Sequence, residues 1–145
     1  MTDLPIQCRV ADWSQSLDRD ALKRIRYRVF VEEQKVPVEL EWDEYDDSAS
    51  HFMVTLSGEA IACARLKEDG QIGRMAVLTE YRNQGIGQEL LRFVIRTAAE
   101  KNIDEVYLHA QVSAIPFYEK QGFSTAGEIF FEANIPHQEI LKKVC

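Results

Sequence analysis

Cysteine is scarce in this chain. Cys8, Cys63 and Cys145 are odd in number, far apart and form no C-x-x-C pair, so neither a disulfide framework nor a zinc site is indicated. Cys8 and Cys63 fall in strand-like runs, where a thiol serves as a small hydrophobe, and Cys145 ends the chain. Long apolar runs are missing too. None nears the roughly 20 residues that span a bilayer, and the opening MTDLPIQCRVADW has neither a basic leader nor an apolar signal core. A cytoplasmic location with no membrane partner is the expectation. Basic residues are outnumbered, 17 against 24 acids, for a formal charge of −7. A nucleic-acid binder needs the opposite balance, whereas a cationic substrate suits this one. Low-complexity tracts and repeats are absent, and 145 residues, 46% of them hydrophobic, fit one domain, 1–145, whose core needs no staple.

What the chain does have is IGRMAVLTEYRNQGIGQELL, residues 72–91. A strand-like run to Val77, a polar turn and glycines at Gly85 and Gly87 lead into a helical apolar period. The first N–H groups of a helix lack intrahelical acceptors and carry the positive end of its dipole, and glycine lets a phosphate approach them closely. The turn is not a P-loop, because Gln88-Glu89 follows Gly87. It is not a dinucleotide fingerprint either, because Leu90 stands where a third glycine belongs. Arg82-x-x-Gly85-x-Gly87 remains, as an anion-binding turn or as a plain turn with a helix start.

Around it the hydrophobic period switches between 2 and 3.6. Ile6, Cys8 and Val10 alternate with polar residues and predict a strand over 6–11. Leu22, Ile25 and Val29 predict a helix over 19–33, with Arg19, Lys23, Arg24, Arg26 and Arg28 on a solvated face. Residues 32–47 hold eight acids against one Lys35, with Pro37 and no clean period; this is a mostly irregular acidic segment, either a binding loop or a solvated surface. Strands over 51–56, 60–66 and 71–77 are separated by hairpin turns. The next helix carries Ile86, Leu90, Leu91, Val94 and Ala98 on one face and ends near Asn102. A strand over 106–110, parallel to the one ending at Val77, precedes a short helix over 114–121 stopped by Gly122, and then strands over 124–131 and 138–143.

The Arg82-x-x-Gly85-x-Gly87 turn between strand and helix, and the later Phe117-Tyr118-Glu119-Lys120-Gln121-Gly122-Phe123, resemble the signature of the GNAT superfamily of acyl-CoA-dependent N-acetyltransferases. The element order is that superfamily's, so the resemblance covers nearly the whole chain and is most specific over 72–123. Arg28-Val29-Phe30-Val31-Glu32-Glu33-Gln34, Glu41-Trp42-Asp43 with Asp46, Ile72-Gly73-Arg74 and Ile135-Pro136-His137 resemble its ElaA-like branch. The resemblance implies an α/β (α+β) fold: a GNAT-like domain with a mixed, largely antiparallel sheet of about seven strands, splayed at the cofactor site and flanked by helices. It implies acetyl-CoA as cosubstrate and no metal. The pantetheine arm would pair with the backbone of Met75, Ala76 and Val77, and Arg82, Asn83, Gln84, Gly85, Ile86, Gly87 and Gln88 would surround the pyrophosphate. Gln111 stands where many relatives place an asparagine that contacts the cofactor arm.

The resemblance also gives Tyr118 the role of general acid toward the departing thiolate, which a phenol can fill; a core aromatic beside Phe117 is the other reading. An amine must lose a proton before it attacks. His51, His109, His137, Glu33 and Glu41 are candidates for the base, with His137 and Glu33 preferred. Arg74 meets either a substrate carboxylate or a neighbouring acid, and strict alternation puts it on the face of Ile72 and Ala76. The expected activity is acetyl transfer to a primary amine of a small molecule, by direct attack in a ternary complex. The alternatives are a coenzyme A-binding sensor without turnover, or acetylation of a protein N-terminus or lysine. The sequence leaves a homodimer open.

Overall fold

In the computed structural model, which describes residues 6–144, β1 (Ile6–Ala11), β2 (Ser50–Leu56), β3 (Glu59–Leu66) and β4 (Ile72–Val77) form one antiparallel sheet in that order. β5 (Glu105–Gln111), β6 (Ser124–Glu132) and β7 (Ile135–Lys143) form a second, with β7 in the middle. A parallel bridge between Gln71 and Tyr107, with a 3.1 Å bond from the Tyr107 N–H to the Gly70 carbonyl, joins the two. The expected mixed sheet is therefore two antiparallel sheets hinged on one parallel contact, and β4 and β5 separate beyond it.

Both faces of the first sheet are covered. α3 (Ile86–Glu100) buries the five apolar positions that its period singled out, against Phe52, Val54 and Ile61. α1 (Ser16–Arg26) lays Leu22 and Ile25 on Met53, Cys63 and Ala76 from the opposite side. Each buried Leu, Ile or Val among them contributes about 1.5–3 kcal/mol. Double coverage is why β3 reads as the near-continuous apolar run Ala60-Ile61-Ala62-Cys63-Ala64 instead of alternating. Among the described residues no helix is long and apolar enough to cross a membrane.

Three local expectations need correcting. The first helix does not run regularly to Glu33. Over Tyr27–Glu33 it widens into π turns, so that the Gln34 N–H bonds the Val29 carbonyl five residues back at 3.0 Å. Val29, Phe30 and Val31 lose rotamer freedom in a tight α turn, so little is forfeited there by widening it. The acidic segment is not mostly irregular but holds the one-turn α2 (Val38–Glu41) and a 3₁₀ turn (Glu44–Asp46). β7 begins at Ile135, not after His137. Pro136 is tolerated because β5 ends opposite His137, so at Pro136 only β6 is a neighbour. α4 (Ile115–Glu119) places Pro116 in its first turn, and Gly122 follows at φ 94°.

Candidate active site

Past the Gln71–Tyr107 bridge a cleft of about 550 Å³ opens between β4 and β5, lined by Met75 on one side and Leu108, Ala110 and Gln111 on the other. The outer edge of β4, where Met75, Ala76 and Val77 lie, has no strand partner there among the described residues. At the end of β4 the chain makes a 3₁₀ turn, Thr79–Tyr81, and then takes left-handed dihedrals at Asn83 (φ 62°) and Gly85 (φ 80°), the latter being the N-cap of α3. The Glu89 N–H reaches the Gly85 carbonyl at 3.1 Å. Among the described residues the N–H groups of Asn83, Gln84, Gly85, Ile86, Gly87 and Gln88 have no such acceptor. That is a row of unengaged donors at a helix N-terminus, suited to a phosphate. A methyl group at Gly87 would sit 3.8 Å from Met75 and Val77 and 3.9 Å from Phe117, which is ordinary contact. The fold itself thus leaves room for a side chain at Gly87.

Arg82 is engaged within the protein. Its Nε donates to the Val77 carbonyl at 2.8 Å, and its two Nη atoms donate to the Glu33 carboxylate at 2.6 and 2.8 Å. The Arg82 guanidinium holds the Glu33 carboxyl below its usual value, and Thr79 Oγ1 adds a 3.2 Å bond. A carboxylate so satisfied is a poor proton acceptor, so Glu33 braces the turn and does not fit the role of base.

Tyr118 lies in the cleft wall, edge-on to Phe117 at 5.0 Å and Phe123 at 5.8 Å. Burial pushes its phenol up to about 12, and its hydroxyl has no hydrogen-bond partner among the described residues. Gln111 and His137 face each other across the β5–β7 ladder and both line the cleft. His137 is buried, with Nδ1 2.7 Å from the Ile135 carbonyl. A carbonyl only accepts, so Nδ1 is the donor in this bond, and in the neutral ring the lone pair is on Nε2. His109 sits at the cleft between Glu132 at 3.3 Å and Glu139 at 3.5 Å. His51 lies elsewhere: it stacks on Trp13 at 4.5 Å and bonds the Asp46 carbonyl at 2.8 Å, in a separate cavity.

The acidic segment folds inward. Arg26, expected on a solvated face, is 1% exposed. Its guanidinium lies 5.6 and 5.0 Å from the rings of Trp13 and Trp42 and pairs with Glu41 at 2.8 Å and Asp46 at 2.9 Å. Arg65 of β3 holds Asp43 at 2.7 Å and Asp46 at 3.0 Å, and Arg74 of β4 holds Glu41 at 3.0 Å and Asp43 at 3.1 Å. Three arginines thereby neutralise three of the eight acids in the segment over 32–47, which is not wholly solvated. Burial alone would raise the Asp46 carboxyl, but Arg26 and Arg65 hold it below its ordinary value. For Glu41 burial prevails over Arg74 and Arg26, and its value is raised. Arg74 itself has φ 48° at a register shift between β3 and β4, so strict alternation fails there, and what it meets is the neighbouring acids. Reasoning from sequence missed Arg65, although an arginine inside a strand buried on both faces was the available signal.

Residues 15–144 match the family described as Acetyltransferase (GNAT) domain. The uncharacterized N-acetyltransferase YjcF of Bacillus subtilis (strain 168) is 34% identical over 122 residues, 81% of this chain and 87% of that protein. ElaA of Escherichia coli (strain K12) is 33% identical over 132 residues, 86% of each chain. The crystal structure of an acyl-CoA N-acyltransferase from Pseudomonas aeruginosa superposes with a TM-score of 0.85 at 31% identity, over 97% of this chain and 99% of that one.

Proposed function

The chain belongs to the GNAT acetyltransferase family, and on that footing we propose that it transfers an acetyl group from acetyl-CoA to a primary amine of a small molecule, by direct attack in a ternary complex. The observation that carries this reading is the cleft between β4 and β5, with a row of backbone donors in the turn that follows β4 and a protonated tyrosine in the cleft wall. The pyrophosphate sits on the N–H groups of residues 83–88, while Arg82 braces that turn through Val77 and Glu33. The pantetheine arm adds to the unpaired edge of Met75, Ala76 and Val77, within reach of Gln111.

The amine lone pair forms the C–N bond at the thioester carbonyl, and the tetrahedral intermediate collapses with cleavage of the C–S bond. The departing thiolate takes the Tyr118 proton. The apolar wall that raises the phenol raises the thiolate's basicity too, which keeps the transfer feasible. The proton lost by the amine goes to His137 Nε2, whose lone pair is fixed by the Nδ1–H bond to Ile135. Both groups are reset by exchange with solvent.

A panel of primary amines incubated with acetyl-CoA tests the reading, with free thiol and the acetylated amine as readouts. At least one small amine should yield both products in equal amounts. Tight binding of coenzyme A with no turnover on any amine would favour a sensor module, and turnover confined to peptides would favour a protein acetyltransferase.

A further inference from the structure

β4 is bulged where the cleft opens. Cys63 pairs with Ala76 and Arg65 with Gly73, so Ala64 of β3 faces two residues, Arg74 and Met75. Arg74 takes up the irregularity at φ 48°, a left-handed conformation that a long side chain rarely holds without restraint. The restraint is visible. The guanidinium of Arg74 forms an ion pair with the Glu41 carboxylate at 3.0 Å and donates to the Glu41 carbonyl at 3.0 Å and to Asp43 at 3.1 Å, and the Cys63 thiol donates to the Arg74 carbonyl at 3.3 Å. Glu41 and Asp43 are anchored in turn by Arg26 and Arg65. Gly73, Arg74 and Met75 all line the cleft.

We propose that Arg74 is a positioning residue: its guanidinium, clamped by Glu41 and Asp43, keeps β4 bulged, and the bulge presents the edge of Met75, Ala76 and Val77 to the cofactor arm. The inference rests on the coenzyme A site proposed above. Without the clamp, a side chain at position 74 favours negative φ, the strand straightens, and the edge turns away from the cleft. Glycine alone adopts φ near +48° without strain.

The test is the Kd for coenzyme A, by calorimetry, of wild type, Arg74→Ala and Arg74→Gly, with Tm measured alongside. Both substitutions remove the guanidinium and lower Tm. Arg74→Ala should weaken binding about tenfold or more, and Arg74→Gly should stay within about threefold of wild type. A merely structural role would move Tm and leave both Kd values at wild type, which overturns the clamp. Equal losses for alanine and glycine also overturn it, since they make the guanidinium a direct ligand contact. If Arg74→Ala does not fold, Asp43→Asn carries the test: it removes one anchor charge at nearly constant volume and should raise Kd severalfold, and an unchanged Kd is decisive against the clamp. A wild-type protein that binds no coenzyme A overturns the cofactor site itself.

Discussion

Glu33 grips Arg82 through both carboxylate oxygens, at 2.6 and 2.8 Å, across 49 positions of sequence. The contact joins the end of the π turns to the phosphate-type turn. Because it leaves Glu33 satisfied and acidic, Glu33→Gln should keep kcat within about threefold and leave the shape of its pH profile unchanged. A fall of about 100-fold, the scale of losing a general base, would return that role to Glu33.

The two glycines of the turn are needed for different reasons, and alanine separates them. Gly85 has φ 80° with open space around it, so Gly85→Ala should cost about 1 kcal/mol in backbone strain alone. Gly87 is helical with room for a methyl group, so Gly87→Ala should leave thermal stability unchanged or slightly raised. If a phosphate docks against that backbone, the same substitution should weaken coenzyme A several-fold or more in calorimetry. Unchanged affinity would mean that nothing approaches Gly87 closely.

Tyr118→Phe removes a hydroxyl that has no hydrogen-bond partner among the described residues, so Tm should not move. As the loss of a general acid it should lower kcat by roughly 10²-fold, with coenzyme A affinity kept. A phenol at about 12 stays protonated through the working range, so the wild-type rate should show no acid-group loss below about pH 10. Equal kcat for the variant and the parent would make Tyr118 a packing residue only.

The buried arginine–carboxylate network sets the acid limit of stability. Arg65 and Arg74 hold Asp43, and Arg26 and Arg65 hold Asp46, below their ordinary values despite burial. Groups depressed in the fold stabilise it above their unfolded values and lose that contribution as pH falls through the folded ones. Glu41, raised by burial, acts with the opposite sign between its two values and offsets part of the loss. Tm should therefore hold from neutral pH to about pH 5 and fall below about pH 4. Asp46→Asn leaves Arg26 and Arg65 short of a partner, so it should cost about 3–5 kcal/mol at pH 7 and flatten that acid fall. Chemical denaturation at both pH values measures the two effects.

Much of the scaffold was legible before any coordinates because its causes are local. Period two marked β1 over the residues it occupies, period 3.6 picked out the five buried positions of α3, and glycine spacing located the turn at Gly85 and Gly87. Phe117 to Phe123 announced α4 and its glycine stop in the same way. The site's electrostatics could not be read so. Arg26 meets Asp46 across 20 positions, Arg74 meets Asp43 across 31, and Arg82 meets Glu33 across 49. Nothing in their local sequence distinguishes a charge that will face water from one that will face another charge. Tertiary packing alone decided that the acidic segment turns inward, that Arg74 is held in a left-handed bulge, and that His137 keeps its proton on Nδ1. Hydrophobic period is a property of neighbours along the chain. Ion pairing, desolvation and tautomer belong to neighbours in space, and those exist only once the two sheets and α1 have come together.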